Sequence, residues 1–178
     1  MLHNFSDVFK EIRDFGTILN CPERAEDLIA YTQKTLNELK VEFSGKEKKR
    51  VYFMWAQGIT ETSGQNSTVN ELFSYAGLIN VCDMKDEHLT VSVEKLYDWD
   101  PDLIIMWYNE KLNPDDIMKD PLLAGLRAIK KQRVFELPSV FSSDFWTLKM
   151  TYPVYFAGSH AYGSFDRQKG DQFLDSLY

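Results

Sequence analysis

KKRVYFMW (residues 48–55), TVNELFSYAGLINV (68–81), VSVEKLYDWDPDLIIMW (91–107) and DPLLAGLRAIKKQRVFELP (120–138) follow one another along the chain. Their order decides the fold. Residues 51–55 form a compact apolar run with no helical stripe, which reads as a strand buried on both faces. Residues 103–107 read the same way, and residues 133–137 read as a third strand, ended by Pro138. Between them lie helical patterns. Thr68 and Glu71 have capping-box spacing, and Gly77 closes that helix. Residues 91–99 form the next one, with Ser92 as cap and Glu94 in its first turn. Pro101 breaks it, because proline disfavours helix in the residue before it. Strands alternating with helices give an α/β unit with a mostly parallel sheet covered on both faces.

Working outward, Val8, Ile12, Phe15 and Leu19 recur at helical spacing over residues 5–19. Pro22 starts a longer helix with the stripe Ala25, Leu28, Ile29, Thr32, Leu36 and Leu39, and Gly45 stops it. Residues 114–118 form a short helix opened by the Asp115–Asp116 pair. Residues 122–129 read as helical. So do residues 145–156, interrupted at Pro153. Gly158 and Gly163 bracket a loop, and residues 166–177 form a terminal helix.

The chain has 178 residues, 44% hydrophobic and 26% charged, enough for one buried core. Its net charge of −7 argues against nucleic acid as a partner, since phosphate recognition needs a basic patch. The basic run at residues 46–50 reads as a solvated helix end. No apolar run is long enough for a membrane helix. Cys21 and Cys82 have no metal or redox spacing and are expected to be free thiols. His3, His88 and His160 lie in separate regions and read as lone surface histidines. No nucleophile elbow, phosphate loop or metal-ligand spacing is present, so no catalytic residue, resident metal or cofactor is expected.

The four phrases resemble the C-terminal lobe of the periplasmic substrate-binding proteins that feed ABC importers for iron-siderophores, haem, cobalamin and metal oxyanions. Ala76, Gly77, Asn80 and Val81 match the family's helix ending in Ala-Gly and its following Asn-hydrophobic pair. Ser92, Glu94, Pro101 and Asp102 match the Ser-x-Glu and Pro-Asp positions. Ala128, Lys130, Arg133, Val134 and Pro138 match the last phrase, with Lys131 and Gln132 standing where Asn-Gly is usual. The resemblance implies a Rossmann-like three-layer lobe with an N-terminal helical arm. Residues 1–45 would be linking helices and residues 46–178 the C-terminal lobe, with the N-terminal lobe absent. Met1 is followed by His3, Asn4, Ser6 and Asp7 rather than a basic start and apolar core. The leader of an exported parent, periplasmic or membrane-anchored, is therefore expected outside this chain.

The family implies capture of a metal chelate or corrinoid between two lobes and delivery to an ABC permease. Many members carry a docking Glu three positions before the helix-ending Gly. Ser74 stands there, and Glu71, one turn earlier, is the substitute. Ligands of open parallel sheets bind at the carboxyl ends of the strands. The candidate contacts are therefore Trp55, Gln57, Trp107, Tyr108, Ser142 and Trp146, with packing in the core or against the missing lobe the competing use of Trp55 and Phe141. The amides of residues 67–69, at a helix start, suit an anionic group. No arginine cluster lies in these segments, which disfavours a highly anionic siderophore. The alternative is a free-standing interaction module that self-associates through an exposed cleft face.

Overall fold

The computed structural model describes residues 4–139, 141–175 and 177. The chain opens with α1 (Phe5–Ile18), capped by Asn4, whose side chain accepts from the Asp7 amide at 2.9 Å. Asn20, at φ 56°, turns the chain into α2 (Pro22–Phe43). The strands are β1 (Arg50–Met54), β2 (Glu61–Thr62), β3 (Ile79–Asn80), β4 (Leu89–Thr90), β5 (Leu103–Met106) and β6 (Val134–Glu136). Helices α3 (Thr68–Tyr75), α4 (Val93–Trp99), α5 (Pro114–Lys119) and α6 (Arg127–Lys130) intervene, and α7 (Thr151–Tyr162) and α8 (Arg167–Asp175) finish the fold.

The central sheet has the order β3-β1-β5-β6, with every pairing parallel. A short antiparallel ribbon, β2-β4, stands apart from it. The alternation of side chains along a strand divides the core in two. Val51, Phe53, Leu103 and Ile105 face one layer with α1, α2, α3 and α7. Tyr52, Met54, Ile104 and Met106 face the other, with Leu96, Trp99, Ile117 and Ile129. The α/β reading therefore holds. The first two helices contribute Phe5, Val8, Ile29, Leu36 and Phe43 to the same core as the sheet.

Several local expectations need correction. Ser67 caps α3, its hydroxyl accepting from the Asn70 amide at 3.1 Å. Thr68 is thus already helical and its buried hydroxyl has no partner. Glu71 falls one position too late for a capping box, and its carboxylate accepts from the Phe5 amide at 2.6 Å instead. Residues 121–125 are turns, and only Arg127–Lys130 is helical. The Tyr97 hydroxyl holds this turn, donating to the Leu122 carbonyl and accepting from the Gly125 amide.

Gly158 lies inside α7 and not at a loop. It is a contact glycine: a Cβ there would sit 2.3 Å from the buried Phe43 ring of α2. Pro153 does not interrupt that helix, because it occupies the first turn, where its missing N–H has no intrahelical acceptor to lose. Gly163, at φ 71°, ends it. His160 is no surface histidine. It is half-buried among Phe135, Phe156 and Phe165, at ring separations of 4.4, 4.1 and 4.1 Å. His3 lies outside the described residues. Cys21 is exposed and Cys82 buried, both as free thiols.

Arg133 and Arg127 are structural. Arg133 donates to the carbonyls of His160 and Ala161, at 3.0 and 2.6 Å, closing the end of α7. Next to it, Gln132 adopts φ 52°, the left-handed conformation that suits the glycine usual at this position. Arg127 bridges Asp100 and Asp102, at 2.9 Å each.

Asp102 also accepts from the Arg50 amide at 2.9 Å, pinning the start of β1 beside β5. Desolvation pushes its carboxyl up, but the Arg50 amide and the Arg127 guanidinium outweigh this and hold it below the usual carboxylate range. A depressed carboxylate contributes stability at neutral pH that is lost as pH falls through the folded-state pKa. The stability gap between the wild type and Asp102→Asn should therefore be largest near pH 7 and shrink below about pH 4. Urea midpoints at pH 7 and 3 measure it, and a gap independent of pH would refute the assignment.

Candidate ligand-binding site

The carboxyl ends of β1, β5 and β6 emerge side by side, because each strand continues its ladder by one residue. The Trp107 amide donates to the Met54 carbonyl at 2.7 Å, and the Leu137 amide to the Met106 carbonyl at 2.9 Å. Trp55 and Trp107 follow directly on β1 and β5. Their rings lie 5.5 Å apart, and Trp146, from the segment after β6, lies 6.0 Å from Trp55 and 6.1 Å from Trp107. Trp55 and Trp146 are almost parallel, with 5° between planes. Phe145 fills the angle, 4.8 Å from Trp107 and edge-on.

Trp55 is only 5% exposed. Its indole N–H donates to the buried Ser63 hydroxyl at 3.0 Å, and the exposed His88 ring stacks on it at 4.6 Å. Trp55 is thus the buried foundation of the cluster, while Trp107 and Trp146 are half-buried and form its outer part. Phe141 is 72% exposed and so does not pack in the core. The Lys149 ammonium lies 3.7 Å above its ring and donates to its carbonyl at 2.7 Å.

Beside the cluster opens a cleft of about 800 Å³ lined by Gln57, Tyr108, Asn109, Glu110, Lys111 and Leu112, with Ala56. Asn109 organises it. Its side-chain amide donates to the Ala56 carbonyl, its backbone amide donates to the Glu136 carboxylate at 2.9 Å, and its side-chain oxygen accepts from the Lys111 amide at 2.8 Å. One residue thus ties together the ends of β1, β5 and β6. Ser142 stands outside the cleft lining, with its hydroxyl 2.9 Å from that of Ser139.

Of the six candidate contacts, the fold gathers Trp55, Trp107 and Trp146 in the cluster and Gln57 and Tyr108 in the adjoining cleft. Ser142 is held in its own turn. Ser63, Asn109 and Phe145 lie in the segments that the sequence places at this edge, residues 55–67, 107–109 and 139–146, although none was singled out as a contact. His88 was missed, because it reaches the site from a separate segment by tertiary folding alone.

Glu71 and Ser74 lie elsewhere, on a groove of about 430 Å³ between the starts of α1 and α3, lined also by Asn4, Gln65 and Asn70. Burial pushes the Glu71 carboxyl up, and the Phe5 amide partly offsets this. Ser74 is exposed. The amides at the start of α3 are partly engaged, since the Ser67 hydroxyl already takes that of Asn70.

The periplasmic binding protein family model matches residues 2–141. This chain belongs to that family. It is 27% identical over 141 residues to the Fe(3+)-citrate-binding protein YfmC of Bacillus subtilis (strain 168), a match covering 76% of this chain and 44% of the relative. A periplasmic solute binding protein from Veillonella parvula superposes with a TM-score of 0.82 at 26% identity, over 99% of this chain and 57% of its own. Helicobacter pylori Ceue with Ni(II) bound superposes with a TM-score of 0.83 at 20% identity, over 99% and 58%. The chain thus spans about half the length of these relatives. The family is one of extracytoplasmic binding proteins rather than enzymes. Among the described residues, no helix is long and apolar enough to cross a membrane.

Proposed function

We propose that this chain is the C-terminal lobe of the substrate-binding component of an ABC importer for an iron complex or a related metal chelate. The ligand is captured between this lobe and a facing one, with residues 1–45 as the link, and handed to a permease. No covalent chemistry is required. The observation that carries the reading is the cluster of Trp55, Trp107 and Trp146 beside an open cleft at the carboxyl ends of three parallel strands. Such an edge is where open α/β sheets bind ligands, and large aromatic faces suit a bulky chelate. Family membership supports the same reading. Glu71 and Ser74 are the permease-facing positions, beside the groove at the starts of α1 and α3.

Differential scanning fluorimetry against haem, cobalamin, ferric siderophores, molybdate and tungstate tests this. A ligand present at about 100 times its dissociation constant adds about 2.7 kcal/mol of stability. For a domain of this size that raises the melting temperature by roughly 5–10 °C. A rise with one ligand class is the expected result, and a flat panel would count against it. A second reading, self-association, is favoured by the exposed Phe141 in the segment after β6. A flat panel combined with a sedimenting dimer would support that reading instead.

A further inference from the structure

We infer that the ligand face of this lobe selects a chelate of zero or positive net charge over a multiply anionic one. This rests on the ligand-binding reading above and adds the charge class. The end of β6 contributes the carboxylate Glu136, and the segments that follow β1, β5 and β6 contribute Glu61, Glu110 and Asp144, against the cations Lys111 and Lys149 and no arginine.

The structure reduces the cationic side further. Lys149 is spent on Phe141, bound to its carbonyl and lying above its ring. Among the described residues lining the cleft, Lys111 is the cation, and Glu110 precedes it. Arg127 and Arg133 lie at the amino-terminal edge of the sheet, opposite the site, Arg127 bound to Asp100 and Asp102 and Arg133 to the end of α7. Two carboxylates lie within the framework of the site itself. Glu136 receives the Asn109 amide, and Asp144 receives the Trp146 amide at 2.9 Å.

The remaining surface consists of aromatic faces and neutral amides. The face of an indole or phenol ring carries negative potential and attracts cations. A polyanion brought here would lose water to groups that cannot replace it with charge-assisted donors, and that desolvation is costly. A neutral or cationic chelate loses less water and gains ring contact. Glu61, Glu110, Glu136 and Asp144 then act as a filter against polyanions.

Tryptophan fluorescence reads the test on the intact chain, since Trp55, Trp107 and Trp146 lie at the site and Trp99 packs on the opposite face of the sheet. The probes are cationic ferrioxamine B, neutral ferrichrome, and the anionic ferric complexes of citrate and enterobactin. Free tryptophan at the same absorbance corrects for the inner-filter effect. The neutral and cationic probes should bind at least about 10-fold tighter than the anionic ones, and added salt should narrow the gap by screening. Glu110→Lys should narrow it too. Its melting temperature confirms that the variant is folded. Equal or tighter binding of an anionic probe would overturn the inference and leave the ligand-binding reading intact. Absence of specific quenching by every probe up to millimolar concentration would overturn both.

Discussion

Gly64→Ala should lower the unfolding free energy by about 3 kcal/mol, at the upper end of what overpacking costs. A Cβ at this position would lie 2.2 Å from the Met84 carbonyl oxygen and 2.7 Å from that of Asp86. Both are backbone atoms, so no side-chain rotation relieves the clash. The same oxygens hold the loop together. The Gly64 amide donates to Asp86 at 2.8 Å, the Gln65 amide to Met84 at 2.7 Å, and the Asn66 amide to Lys85 at 3.0 Å. Separating the two segments by one ångström weakens all three bonds. It also displaces Ser63, whose hydroxyl receives the Trp55 indole and whose carbonyl receives the Asn80 amide at 2.9 Å. The melting temperature should fall by roughly 10 °C. A fall of less than about 3 °C would mean that the loop of residues 82–88 yields at little cost.

Trp55→Ala should be the most damaging truncation at the site, costing about 3–5 kcal/mol. The ring is almost fully buried and touches Phe53, His88, Trp107, Phe145 and Trp146. Its removal leaves a cavity and strips the Ser63 hydroxyl of its donor. Trp146→Ala separates the two roles of the cluster. That ring is half-buried and stacked outward of Trp55, so its loss should cost only about 1–2 kcal/mol. It should nevertheless weaken chelate binding more than Trp55→Phe, which keeps a ring in the foundation. Chemical denaturation and fluorescence titration of the three variants measure both effects. If Trp55→Ala unfolds at nearly the wild-type midpoint, the cluster is not part of the core.

The correct and incorrect readings of the sequence have physical reasons. The strands at residues 51–55 and 103–107 were legible because strands buried on both faces must be continuously apolar, while the edge strand at residues 133–137 was legible from its position between a helical pattern and Pro138. β3, β2 and β4 were not, since two-residue strands are too short to show any period. Capping at α3 misled by one residue because Ser67 and Thr68 offer the same hydroxyl, and only the backbone decides which one is outside the helix. Gly158 looked like a loop residue because a glycine needed for a close approach and one needed for a turn are identical in sequence.

The sequence by itself determined the parallel α/β lobe, its two-sided core and which segments emerge together at the carboxyl edge of the sheet. Periodicity and the alternation of strand and helix are local properties, and they leave few ways to bury those apolar faces. Only the tertiary structure decided how that edge is used. Trp55 became foundation rather than contact surface because Ser63, His88 and Phe145 close around it from three separate segments. Lys149 was drawn over a ring eight residues away, and Glu71 was drawn to the start of a helix 66 residues earlier in the chain. Each of these depends on contacts between distant residues, and such contacts exist only after the chain has folded.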